Sequence, residues 1–160
     1  MKALLARSVL NDCLIAHDLL ERETRNDQWR VLWIGALALL RMVGSVLDRV
    51  DKNDDYFKDA IEKNWKNISI KEDNEIFWKF IKDSRDRALH EYETDPLDGD
   101  TIPLTLSIDG IWDGSRKIGE CLFKPLEYGY KTGEDARDVY DEAIQWWNVQ
   151  LSFIERESQK

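Results

Sequence analysis

Two residue types in this chain invite chemistry by their scarcity: two histidines, His17 and His90, and two cysteines, Cys13 and Cys121. His90 stands in SRDRALHEY, residues 84–92, five positions after Arg85 and directly before Glu91 and Tyr92. An imidazole moves protons near neutral pH, and a guanidinium holds an anionic oxygen, so the pair has the parts for acid–base work on a phosphate-bearing substrate. On an unbroken helix Arg85 and His90 lie about 140° apart around the axis and do not touch. Asp86 and His90 are spaced i, i+4. That carboxylate is expected to accept a hydrogen bond from the ring, fix its tautomer and favour its charged form. Asp83 with Arg87, and Arg87 with Glu91, repeat the spacing and predict a charge lattice in which each exposed pair adds about 0.2–0.5 kcal/mol. A purely structural reading of the same residues is a solvated helix end, with basic groups near the negative pole of the helix dipole.

The other scarce residues offer less. His17 follows Asp12 and precedes Asp18 on the first helical segment, but no H-x-x-x-H or E-x-x-H spacing exists to build a three-ligand metal site. It reads as a partly buried, hydrogen-bonded residue. Cys13 and Cys121 form no C-x-x-C and read as packed, reduced thiols. Trp146 and Trp147, adjacent on a helix, point about 100° apart, which predicts one ring in the core and one at an interface.

SRDRALHEY resembles the active-site segment of HEPN (higher eukaryotes and prokaryotes nucleotide-binding) domains, whose ribonuclease members carry R-x4-6-H near the end of a helix in an all-helical bundle. Arg85 and His90 match with four residues between them. Asp86 takes the polar position after the arginine, most often Asn in the family, and HEY is a common continuation. The resemblance implies metal-independent RNA cleavage by attack of a ribose 2′-hydroxyl on the adjacent phosphate, in a cleft formed by two copies of the motif across a homodimer. It implies Arg85, His90 and Asp86 as the catalytic set, and Arg87, Glu91 and Tyr92 on the substrate side, with no cofactor and no metal. Members of this kind commonly serve as toxins or defence elements, which implies an antitoxin or regulatory protein as a further partner. The alternative is a non-catalytic helical module with the same fold that binds a protein.

The elements that must position these residues are helices. Leu4, Leu5, Val9, Leu10, Cys13, Ile15, Ala16, Leu19 and Leu20 predict an amphipathic helix over about 3–23. TRND offers Asn26 or Asp27 as an N-cap, after which 29–50 is apolar almost all round and is expected at the centre of a bundle. Gly35 and Gly44 in that helix are expected to permit close approach of another helix. A short helix carries Tyr56, Phe57, Ala60, Ile61 and Trp65. A fourth runs from about Glu72 to His90 or Tyr92 and is expected to be ended by TDPLDGD, with its Pro96 and Gly99. Alternation at Ile102, Leu104, Leu106 and Ile108, with Asp-Gly at 109–110 and 113–114, predicts a small β-hairpin insertion within 101–130. Ala136 to Ile154 closes the bundle on a last helix. The expected fold is one all-α domain over 1–160, about five helices with a β-hairpin inserted before the last.

The net charge of −9 excludes a broad polyanion-coating surface, because that needs an excess of Lys and Arg. Residues 1–50 are nearly balanced, with seven basic and six acidic side chains, so a local polyanion site is expected there and around Arg85 and Arg87. No leader-like start precedes the first helix, and VLWIGALALL is about half of the roughly 20 residues of a membrane span. These features predict a cytoplasmic protein with no membrane partner.

Overall fold

Apolar residues at helical spacing form helices close to where the periodicity places them, and the fold is all-α. The structure, a computed structural model, describes residues 2–93 and 123–160, and between them the backbone of four two-residue strands. Helix α1 spans Leu5–Arg22, α2 Asn26–Arg49, α3 Asp55–Ile68, α4 Asp83–His90 and α5 Ala136–Glu157. A π-helical segment, Phe77–Lys82, runs directly into α4, and 3-10 turns occupy Asp51–Asn53 and Glu72–Asn74. The β-hairpin expected before the last helix is not seen as a continuous element, and most of its span lies outside the described residues. What is described there is Pro103–Leu104 paired with Arg116–Lys117, and Ser107–Ile108 paired with Ile111–Trp112.

Helix ends follow local chemistry, with two departures from the sequence reading. Asp54 caps α3 by accepting the Tyr56 N–H, and Asp135 caps α5 by accepting that of Arg137. At α2, neither Asn26 nor Asp27 is the cap; Arg25 holds that position without a side-chain bond, and both polar residues lie inside the first turn. At α1 the first N–H groups, those of Leu5 and Ala6, are satisfied across the fold by the two oxygens of buried Asp51, at 2.8 and 3.0 Å. An acidic group at a helix N-terminus also meets the positive pole of its dipole.

One core joins all five helices. Trp33 of α2 is fully buried and touches Trp29, Phe80 and Tyr140 at ring-centroid separations of 5.3, 6.2 and 5.9 Å. Helix α5 is fastened to α2 by two buried bonds, Tyr140 Oη to the Ala36 carbonyl at 3.1 Å and Trp147 Nε1 to that of Leu40 at 2.9 Å. Each contributes about 1 kcal/mol and, more importantly, fixes the register of one helix on the other. Trp147 is fully buried, as expected of one ring of the pair, and Trp146 is half-buried against Phe77 of the same chain. Arg7 joins α1 to α5 through a two-pronged pair with Glu155, at 2.9 and 2.8 Å.

Helix α2 departs from its expected central place. Val31, Gly35 and Met42 lie exposed on one side of it, beside Ile15 and Leu19 of α1, so one apolar face is uncovered. Its two glycines divide accordingly. A methyl group at Gly44 would lie 3.0 Å from Trp147 Cη2, so this glycine does admit α5, whereas nothing lies within 4 Å of the same position at Gly35.

Candidate functional site

Helix α4 is the last straight stretch of a helix that begins at residue 75 and passes through the π-helical turn. Phe77, Phe80 and Ile81 anchor that turn in the core, and Ser84 and Ala88 continue the buried side into α4. Arg85, Asp86 and Arg87 are thereby left half-buried at the surface, and His90, Glu91 and Tyr92 fully exposed. Inserted π turns shift the register of a helix and recur at functional sites. The helix ends before Pro96 is reached. The Glu91 and Glu93 N–H groups both bond the Arg87 carbonyl, and Tyr92 between them takes a left-handed backbone, φ 56°. A side chain as large as tyrosine adopts that region at a cost of about 1–2 kcal/mol.

The predicted residues are not connected as their spacing suggested. Asp86 gives its carboxylate to its neighbour, Arg85 Nη1, at 2.7 Å, and not to His90. Among the described residues no hydrogen bond or ion pair engages His90. Its imidazole is exposed among the described residues. The Asp83–Arg87 pair does form, at 3.2 Å, and it draws Arg87 away from solvent. The Arg87 guanidinium lies 6.0 Å from the Tyr128 ring centre, and its Nη2 would be 3.1 Å from a methyl group at Gly129, whose φ is +83°. Arg87 therefore fastens the 123–135 segment to α4. Glu91 and Tyr92 lie at the exposed end of the same helix.

The spacing rule missed Arg41. Its half-buried guanidinium stands 5.6 Å from the Phe77 ring centre, with no carboxylate within ion-pair distance among the described residues. Burial pulls its pKa down from the usual arginine value, and repulsion from the Arg85 charge adds to that; Asp86 and Asp48 act in the opposite sense. Arg41 and Arg85, forty-four positions apart in sequence, thus belong to one electrostatic neighbourhood where α4 packs on α2. An arginine directly after the apolar run 31–40 was the available signal, but nothing local showed what it would face. Beside it lies a cavity of about 270 Å³ lined by Arg41, Gly44, Ser45, Asp48, Arg49 and Trp65.

The remaining candidates are structural. His17 lies flat against the buried Tyr140 ring, centroids 6.2 Å apart, with Nε2 3.6 Å from Glu21. Burial pushes the Cys13 thiol up to about 11, which leaves it an inert, packed group. Cys121 lies outside the described residues. Among the described residues no three His, Cys, Asp or Glu side chains converge as a metal site would need. Family models, curated proteins and solved structures contain no match to this chain.

Proposed function

We propose that the protein is a cytoplasmic endoribonuclease of the HEPN kind, acting as a homodimer without a metal, with a toxin or defence role under the control of a regulatory protein. The observation that supports it is the accessible, unengaged His90 at the end of the helix that carries Arg85, with the Arg41 charge beside Arg85, in a chain of net charge −9. A ribose 2′-hydroxyl attacks the neighbouring phosphorus, one imidazole takes its proton and another protonates the departing 5′ oxygen. The products are a 2′,3′-cyclic phosphate and a 5′-hydroxyl. Each chain brings one histidine to this place, so pairing supplies the second. Arg85 stabilises the charge that builds on the phosphoryl oxygens, and Asp86, bonded to it, holds the guanidinium in orientation. Arg87, drawn into the fold, supports the helix end, and Glu91 and Tyr92 flank the exposed imidazole.

RNA incubated with the protein in EDTA tests this. Cleavage that leaves cyclic phosphate ends, and falls about 100-fold or more in His90→Ala and in Arg85→Ala, is the expected result. Cleavage equal in both variants, or cleavage abolished by the chelator, refutes it.

A second reading, the non-catalytic interaction module, draws on the uncovered apolar face of α1 and α2. Asp12 is its one charged lining residue; Ile15, Leu19, Val31, Leu32, Leu39 and Met42 supply the rest with Gly35 and neighbouring alanines. The face suits a second copy of this chain. From 31 to 42 it is about 17 Å long, and two adjacent helices make it about 20 Å wide. That projected area, about 340 Å², is less than half of the about 800 Å² per partner of a standard interface and fits a weak contact between copies.

A further inference from the structure

We infer that the cavity between α2 and α3, lined by Arg41, Ser45, Arg49 and Trp65, is a phosphate-binding subsite for single-stranded RNA, holding a backbone phosphate next to the one cleaved. The ligand class rests on the nuclease reading; the site itself does not.

Four observations lead there. Charge is the first. In the acidic chain, Arg41, Arg49 and Arg85 are gathered against two carboxylates, Asp48 and Asp86, which leaves three positive charges to two negative, or +1. Asp86 is taken up by Arg85 at 2.7 Å, and Asp48 lies 4.0 Å from Lys52, so neither carboxylate pairs with Arg41 or Arg49. Neither Arg41 nor Arg49 has a carboxylate within ion-pair distance among the described residues. Half-buried Arg41 and exposed Arg49 are like charges that repel one another, and an anion between them removes that repulsion.

The second is geometry. Arg41 is held over Phe77 at 5.6 Å, and the small Gly44 leaves room in the cavity wall one helical turn on, where Arg41 Nη1 lies 3.2 Å from the position a methyl group would take. Arg41 and Arg49 are eight residues apart and Ser45 is midway, so all three lie along one side of α2 at about one turn per step. Successive donors at that pitch, about 6 Å, follow a nucleic-acid backbone. The third is unsatisfied donor capacity. The Ser45 hydroxyl makes only a long bond, 3.4 Å, to the carbonyl of Arg41, and the buried Trp65 Nε1–H has no hydrogen-bond partner. A buried indole N–H without an acceptor costs roughly 1–3 kcal/mol, which a ligand oxygen recovers once a small shift of the cavity wall uncovers the N–H.

The fourth is rigidity. Trp65 is wedged edge-on against Phe77 and Trp147, at 5.9 and 6.4 Å, so its ring does not need ordering when a ligand arrives. Because α4, which carries Arg85, packs directly on α2, which carries Arg41, the subsite and the proposed reacting phosphate are taken as one track across the two helices. A substrate bound along both is positioned by contacts that are not themselves part of the chemistry.

The test uses the full chain and a short single-stranded oligonucleotide, 2′-O-methylated throughout so that it lacks the attacking hydroxyl. Binding is read by fluorescence anisotropy over a range of salt. Arg41→Gln and Arg49→Gln are expected to weaken binding about tenfold each and to flatten the plot of log affinity against log salt by about 0.7 per lost phosphate contact. Trp65→Phe, which keeps a packed ring and removes the N–H, is expected to weaken it severalfold. Wild-type affinity and slope in Arg41→Gln and Arg49→Gln overturn the subsite, as does a wild-type chain that does not bind the oligonucleotide. If a glutamine variant fails to fold by circular dichroism, Arg41→Lys and Trp65→Phe decide: normal binding in both overturns the proposal. Binding that depends on Arg41 and Arg49 in a chain that never cleaves RNA keeps the subsite and removes the nuclease. Cleavage that depends on His90 with binding indifferent to Arg41 and Arg49 does the reverse.

Discussion

The same substitution at two positions of α2 is expected to change stability in opposite directions. Gly35→Ala and Gly44→Ala each replace a helical glycine, and each should gain about 1 kcal/mol from the lower backbone entropy of the unfolded chain. At Gly35 nothing lies within 4 Å of the new methyl group, so the gain is realised in full. At Gly44 the methyl carbon would sit 3.0 Å from Trp147 Cη2 and 3.2 Å from Cζ2, well inside the about 3.5–4.0 Å at which carbon atoms attract. The indole cannot easily withdraw, because it is fully buried and its Nε1 is bonded to the Leu40 carbonyl at 2.9 Å. Overpacking of this kind costs about 1–3 kcal/mol.

Since the entropy gain is common to both variants, the difference between them isolates the packing cost, about 1–3 kcal/mol. For a chain of this size that corresponds to a separation in Tm of about 2–10 °C, with Gly35→Ala above the wild type and Gly44→Ala at or below it. Circular dichroism melts, backed by urea unfolding to check that m is unchanged, are sufficient. If Gly44→Ala melts as high as Gly35→Ala, the seating of α5 on α2 is wrong. Arg41 would then also lose its place, because its Nη1 lies 3.2 Å from the same methyl position.

Other expected outcomes follow from single contacts. His90→Ala should abolish RNA cleavage and leave Tm unchanged, since the side chain is exposed and unengaged among the described residues; a large fall in Tm would assign it a structural role. Asp135 accepts from the Lys124 and Arg137 backbone N–H groups and, at 2.7 Å, from Arg137 Nη2, so Asp135→Ala should cost about 3–5 kcal/mol in urea unfolding as a cap and a buried pair are lost together. Burial raises the Asp135 pKa, but the bonds from Arg137 and Lys124 outweigh it and hold the carboxyl below its usual range. Its stabilisation is therefore full above the unfolded value of about 3.9 and is lost as pH falls through the lower folded value, so Asp135→Asn should flatten the acid limb of a stability–pH curve. Glutamates at Val31 and Ile15 together should reduce self-association measured by light scattering, and an unchanged mass would remove the α1–α2 face as a contact between copies.

The helices were legible because burial imposes a period of about 3.6 residues, which α1, α3 and α5 carry in Leu10, Cys13 and Leu20, in Phe57 and Ile61, and in Tyr140 and Trp147. Apolarity could not say what α2 would face. A helix greasy all round is ordinarily enclosed, yet Val31 and Met42 are exposed, because hydropathy does not distinguish a face covered by the same chain from one left for something else. Non-local caps were equally hidden, since Asp51 serves α1 from the far end of α2. The π turn at Phe77–Lys82 leaves no mark, as its anchors Phe77, Phe80 and Ile81 fit an ordinary helix as well. The expected stop signal at Pro96 and Gly99 lies outside the described residues, and the left-handed Tyr92 had already turned the chain before it.

The candidate site divides in the same way. Spacing along one helix identified Arg85 and His90, and it overestimated Asp86, because an arginine one residue away competes for a carboxylate that the i, i+4 rule assigns to the histidine. Charge has to be read at two ranges for the same reason. At physiological salt the field of the −9 chain is screened over about 8 Å, so an RNA strand in contact with the surface experiences the guanidiniums beside it and little of the distant carboxylates. Acidic composition therefore opposes approach over longer distances and says little about binding where Arg41, Arg49 and Arg85 meet. Added salt weakens that long-range repulsion while it weakens the local contacts, so the observed salt slope is smaller than the number of phosphates held. The loss of slope on removing one guanidinium, rather than the slope of the wild type, is the quantity that counts those contacts.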